Sequence, residues 1–122
     1  MSTPSGNSPT ADPLIPLSPE VRAAYQDLYS KIQAAIDSTM DAAAVEALNP
    51  QLYQVDLVLT KDDEYRLSKD TAIFAALKTQ INSANQGLKT FRKEIASIAS
   101  HFAMAGTIIA AIDKVLTLIP GA

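Results

Sequence analysis

The chain has 122 residues, a net charge of −3 and no cysteine. This length allows one domain, and the lack of thiols excludes disulfides, thiol catalysis and cysteine-ligated metal sites. The small net charge, the 6% aromatic content and the lack of tryptophan argue against a nucleic-acid partner.

Residues 1–17 are predicted to form a disordered N-terminal arm, ahead of a single helical domain over residues 18–122. Five of the seven prolines lie within the first 19 residues, among Ser, Thr, Gly and Asn, a composition that does not build a core. We expect the apolar Leu14, Ile15 and Leu17 to lie over one end of the bundle. The first ten residues lack the basic and apolar regions of a signal peptide. The default location is therefore cytoplasmic, and export without a cleaved signal peptide is the alternative.

The first helix is predicted to begin at Ser18-Pro19-Glu20 and to end near Met40. Serine is a good N-cap, proline suits the first helical position, and an acidic residue in the first turn interacts favourably with the helix dipole.

The second helical region is predicted in two pieces. Asp41 can cap a short segment over residues 42–48, and Asn49-Pro50 resembles a second start, for a helix that reaches about Leu67. Residues 55–60 have strand propensity, but no second strand is predicted that could pair with them. Residues 67–71 are predicted to form a turn, with Asp70 or Ser68 as the cap of the next helix.

An unbroken heptad pattern comes after this turn, and it predicts one long C-terminal helix. Fourteen consecutive positions of the pattern are apolar, which at 48% hydrophobic residues would occur by chance about 3 times in 100,000. The weak point is 82–87, which is poor in helix formers and ends in Gly87; a break there would give four helices, and a continuous or bent helix is favoured. These fourteen residues, the heptad stripe, are Phe74, Leu77, Ile81, Ala84, Leu88, Phe91, Ile95, Ile98, Phe102, Ala105, Ile109, Ile112, Leu116 and Ile119.

The net charge of the second helical region is opposite in sign to that of the C-terminal part of the chain. Residues 41–70 carry a net charge of −4 and residues 71–122 carry +3, which favours antiparallel packing of the second helix on the long one. The acidic run at 61–64 lacks the ligand spacing of a calcium loop and is predicted to be a solvated helix face.

Residues 95–112 have no formal charge and are nearly long enough to cross a bilayer. Four polar residues, Ser97, Ser100, His101 and Thr107, interrupt this segment, and its apolar residues keep the heptad phase. A buried bundle helix is therefore favoured over a membrane-inserting one.

No catalytic, cofactor-binding or metal-binding constellation is found, and the single histidine, His101, has no partners at ligand spacing. The sequence therefore predicts an all-α antiparallel bundle of three to four helices that acts without catalysis, through self-association or a helical protein partner. A membrane-active helical protein that inserts 95–112, as secreted toxins or translocators do, is the alternative. The residues predicted to make the partner contact are Phe91, Ile95, Ile98, Phe102, Ile109, Ile112 and Leu116.

Overall fold

The computed structural model describes residues 15–97 and 104–119, and within them it contains four α-helices and no strand. Residues 1–14, which make up most of the predicted arm, lie outside the described part of the chain. The prediction of an all-α bundle is confirmed. The helices are α1 (Pro19–Ser38), α2 (Ala42–Ser68), α3 (Thr71–Ser97) and α4 (Ala105–Leu118).

The four helices form an antiparallel bundle in which α2 and α4 each pack against both α1 and α3. Arg22, at the start of α1, contacts Asp62 near the end of α2. Ser38, at the end of α1, contacts Met104 just before α4. Consecutive helices therefore run in opposite directions, and the core lies between all four of them.

Helix α1 begins as predicted. The Ser18 hydroxyl accepts a hydrogen bond from the Val21 N–H at 3.2 Å, and Pro19 occupies the first helical position. The buried residues of α1 recur every three or four positions, as expected for an amphipathic helix. They are Val21, Ala24, Tyr25, Leu28, Ile32 and Ala35.

Helix α2 corrects the prediction of two pieces, because it continues through Pro50. The Asp41 cap is confirmed: its carboxylate accepts N–H groups of the first turn at 2.8 and 3.3 Å. An internal proline costs about 3 kcal/mol, since one backbone hydrogen bond is lost. Ala44 and Leu48, on the N-terminal side of Pro50, are fully buried, and we infer that this packing offsets the cost.

The turn between α2 and α3 is confirmed. Lys69 adopts a left-handed conformation (φ 55°) after the last residue of α2, which is a common way to end a helix. The Asp70 carboxylate accepts the Ala72 N–H at 2.7 Å, so Asp70 is the cap of α3.

Helix α3 passes through residues 82–87 without a break, as the unchanged heptad phase predicts. At Gly87 an added Cβ atom would lie 3.2 Å from the Gln51 Oε1 atom of α2. The glycine therefore allows a close approach between the two helices instead of ending α3.

The prediction of one helix as far as Ile119 is wrong, because α3 ends at Ser97 and α4 folds back beside it. The Arg92 guanidinium binds the Asp113 carboxylate at 2.5 and 3.1 Å. In a continuous helix these residues, 21 positions apart, would be separated by about 31 Å. Folding back lets α4 bury its apolar residues against its own chain, and this burial outweighs the local preference for a longer helix.

Candidate interaction surface

The heptad stripe forms much of the bundle core. Of its twelve described members, nine are buried, and Phe74, Ile109 and Leu116 are partly buried. Ile98 and Phe102 lie outside the described residues. The described part of the stripe was correctly predicted to be buried, and its cover comes from the chain's own helices.

The predicted partner residues fall into three groups. Phe91, Ile95 and Ile112 have no solvent exposure, so they can reach a partner only if the bundle opens. Ile109 and Leu116 lie at the edge of the core and keep some exposed surface. Their role in association stays a prediction, as does that of Ile98 and Phe102.

Helix α4 also buries residues that do not belong to the heptad stripe. Ile108 and Val115 are also fully buried, although neither lies in the heptad register. Because α4 packs against both α1 and α3, its apolar face is wider than a two-helix seam requires. The continuous apolar composition of 108–112 was the sequence signal for this wider face.

A buried carboxylate connects α1, α2 and the residues ahead of α1. Asp62 has no exposed surface, although the sequence predicted a solvated face for residues 61–64. It accepts hydrogen bonds from the Leu17 N–H at 2.8 Å, from Arg22 at 2.5 Å and from Arg66 at 2.8 Å. The four-residue spacing from Val58 places Asp62 on the buried side of α2, and this spacing could have identified it.

The same network holds the segment before α1 in place. Arg66 donates to the Leu17 carbonyl, so both main-chain groups of Leu17 bind side chains of α2. Leu17 and Ile15 are buried, which confirms that this apolar segment covers one end of the bundle. Leu14 lies outside the described residues. Both Asp62 oxygens accept structural hydrogen bonds, so we assign the cluster a structural role.

A second buried polar contact crosses the core from α1 to α3. The Tyr25 hydroxyl donates to the Asn85 Oδ1 atom at 2.8 Å, and neither residue is exposed. Burial raises the pKa of Tyr25, and the hydrogen bond to Asn85 opposes this only in part. The Asn85 Nδ2 atom has no hydrogen-bond partner among the described residues. The apolar heptad pattern gave no sign of this pair.

The outer surface is divided by charge. The hairpin of α1 and α2, residues 19–68, carries a net charge of −5, and residues 71–118 carry +3. The large apolar side chains with the most exposure in the described chain, Met40, Tyr53 and Leu67, all belong to the acidic hairpin or its connection. A partner that meets the closed bundle therefore meets one acidic and one basic hairpin.

Among the described residues, no group of three or more His, Asp or Glu side chains could hold a metal ion. No helix within residues 15–97 and 104–119 has the length and apolar character needed to span a membrane. Comparisons with known protein families, characterised proteins and solved structures found no match.

Proposed function

We propose that the protein is a non-catalytic helical interaction protein that associates with further copies of itself through the outer surface of the closed bundle. The observation that carries this proposal is the division of charge between the two hairpins, −5 on residues 19–68 and +3 on residues 71–118. Oppositely charged surfaces on the same chain attract each other between copies.

The buried heptad stripe supports an outer-surface contact. Opening the bundle would expose side chains such as Phe91 and Ile112, at a cost of about 25 cal/mol per Å² of apolar surface. An association that leaves the core closed avoids this cost. Tyr53 is 62% exposed on α2, and tyrosine is one of the residues that most often contribute strongly to protein interfaces.

Size-exclusion chromatography with light scattering, over a range of concentrations and salt, tests the proposal. We expect the mass to rise above 13.0 kDa with concentration and to fall when salt screens the charges. A mass of 13.0 kDa up to about 1 mM protein would refute self-association, since it requires a binding free energy weaker than about −4 kcal/mol.

A membrane-active protein is the second candidate, and a different observation favours it. Ile109 and Leu116 keep exposed surface on α4. Asp113 of the same helix binds Arg92 of α3, and Lys89 and Lys93 of α3 are exposed as well. Apolar side chains next to basic ones suit an anionic lipid surface. Opening of the bundle could then release residues 95–112 into the lipid.

Flotation with vesicles separates the two candidates. A membrane-active protein rises with vesicles that contain anionic lipid, and more weakly with neutral ones. A protein that associates only with copies of itself stays at the bottom of the gradient with both.

A further inference from the structure

Helix α3 carries the same apolar pattern along its whole inner side. Its members of the heptad stripe recur at alternating steps of three and four residues, from Phe74 to Ile95. A pattern that repeats every seven residues fits a partner helix equally well after a shift of seven residues. Within the chain, the short turn at residues 69–70 sets the position of α3 along α2. No such turn would restrict the packing of an exposed stripe on a second copy.

Asn85 interrupts this apolar side of α3. It lies four residues after Ile81 and three residues before Leu88, within about 60° of both on the helix, and it is fully buried. The other buried residues of α3 are all apolar. Any helix that packs over Ile81 and Leu88 therefore covers the Asn85 amide as well.

The closed bundle provides a partner for this amide from a distant part of the chain. The Tyr25 hydroxyl donates to the Asn85 Oδ1 atom at 2.8 Å. Helices α1 and α3 lie diagonally across the core, since α2 and α4 each pack against both of them. The bond therefore forms only when the two hairpins have closed on each other. The Asn85 Nδ2 atom has no partner among the described residues, so stability alone does not account for an asparagine at this position.

The same asparagine disfavours association through the heptad stripe. If the stripe packed against a second copy, Asn85 would lose Tyr25 and its amide would be buried without compensation. The register that places two Asn85 side chains opposite each other allows them to bond, but at a cost in stability relative to apolar residues. The apolar members of the stripe gain from burial in either arrangement. The polar pair is therefore the feature that distinguishes the closed chain from a stripe-to-stripe contact.

We propose that the Tyr25–Asn85 pair directs the heptad stripe to its own chain, so that copies meet only through the outer surface of the closed bundle. This role is separate from the affinity of that outer surface, on which the proposed function depends. Salt distinguishes the two kinds of contact. It screens the charges of the outer surface, whereas an apolar contact through the stripe persists in salt.

The masses of three variants at high salt test this proposal. The parent, Tyr25→Phe, Asn85→Leu and the double variant are compared by size exclusion with light scattering in about 1 M salt, where the Debye length is about 3 Å. We expect Asn85→Leu and the double variant to form species of two or more copies. Their association constants should rise about tenfold or more, because no uncompensated amide has to be buried. Tyr25→Phe keeps the asparagine, and we expect it to keep the mass of the parent.

Tyr25→Phe is the matched control, since it breaks the same hydrogen bond without removing the amide. Circular dichroism checks the helix content of each variant. Asn85→Ala also removes the amide, and it takes the place of Asn85→Leu if the leucine variant does not fold. If the variants without Asn85 keep the mass of the parent, or if Tyr25→Phe associates as strongly as they do, the proposal is overturned. A parent that stays at 13.0 kDa at every salt concentration refutes the outer-surface self-association alone, because the variants still test the pair.

Discussion

Replacement of Asp62 with alanine is expected to destabilise the bundle by about 3 kcal/mol. The carboxylate is fully buried and receives three donors, from Leu17, Arg22 and Arg66. Removing one partner of a buried ion pair costs about 3–5 kcal/mol, because the remaining groups lose their compensation. The Arg22 and Arg66 side chains are 24% and 40% exposed. Water can therefore hydrate both guanidinium groups, so we expect a cost at the lower end of the range of about 3–5 kcal/mol.

Urea unfolding followed by circular dichroism measures this loss, provided that the denaturant dependence stays the same in both proteins. Asp63→Ala is the matched control. Asp63 binds the same Arg22 side chain at 2.8 Å but is 60% exposed, so its loss should cost less than about 1 kcal/mol. If Asp62→Ala lowers the free energy of unfolding by no more than Asp63→Ala does, the buried hydrogen-bond network does not stabilise the bundle. The expected loss is large against a typical stability of about 5–15 kcal/mol.

Four further results are expected. Tyr25→Phe and Asn85→Leu should each cost about 1–3 kcal/mol in urea unfolding, and the double variant less than their sum, because each single change leaves a buried polar group unpaired. Burial raises the pKa of Tyr25 above its usual value near 10. The stability that the neutral phenol contributes is therefore complete below about pH 10 and is lost as the pH rises above about 10. The melting temperature of Tyr25→Phe should fall less than that of the parent protein when the pH is raised above about 10. Pro50→Ala should stabilise the protein, by up to about 3 kcal/mol, since it restores a donor inside α2; an unchanged melting temperature would contradict this. Spin labels on Arg92→Cys and Asp113→Cys should lie close together, whereas a separation near about 31 Å would indicate one continuous helix.

The sequence predicted the helices well where a local signal marks the boundary. Ser18, Asp41 and Asp70 each follow capping rules, and each is the N-terminal cap in the structure. The same rules misassigned Asn49-Pro50 as a start, because the burial of Leu48 keeps α2 continuous across the proline.

The end of α3 could not be predicted in this way, since the described residues on either side of the α3–α4 connection carry no capping signal. The Ser97 hydroxyl bonds to the Glu94 carbonyl of its own helix, and Met104 gives α4 no side-chain cap. The heptad phase also continues across both helices, so the pattern fits one long helix or two packed ones equally well. Only the burial of α4 against α1 and α3, a tertiary effect, distinguishes them.

The buried polar groups were missed for a related reason. Asp62 belongs to an acidic run that resembles a solvated face, and Asn85 lies in a segment that resembles a weak point of a helix. Their partners, Leu17 and Tyr25, are 45 and 60 residues distant in sequence. Such contacts are specified by the packing of whole helices and cannot be found from periodicity alone.

The attachment of Leu17 to α2 also determines how the protein would bear mechanical force. Tension applied to the chain ahead of Ile15 reaches the Leu17 main chain first, and the hydrogen bonds to Asp62 and Arg66 pass it to the last turns of α2. Helix α1 shares this load, because Arg22 binds the same Asp62 carboxylate. A pull on the N-terminal segment would therefore be spread over α1 and α2 instead of acting on the first turn of α1 alone.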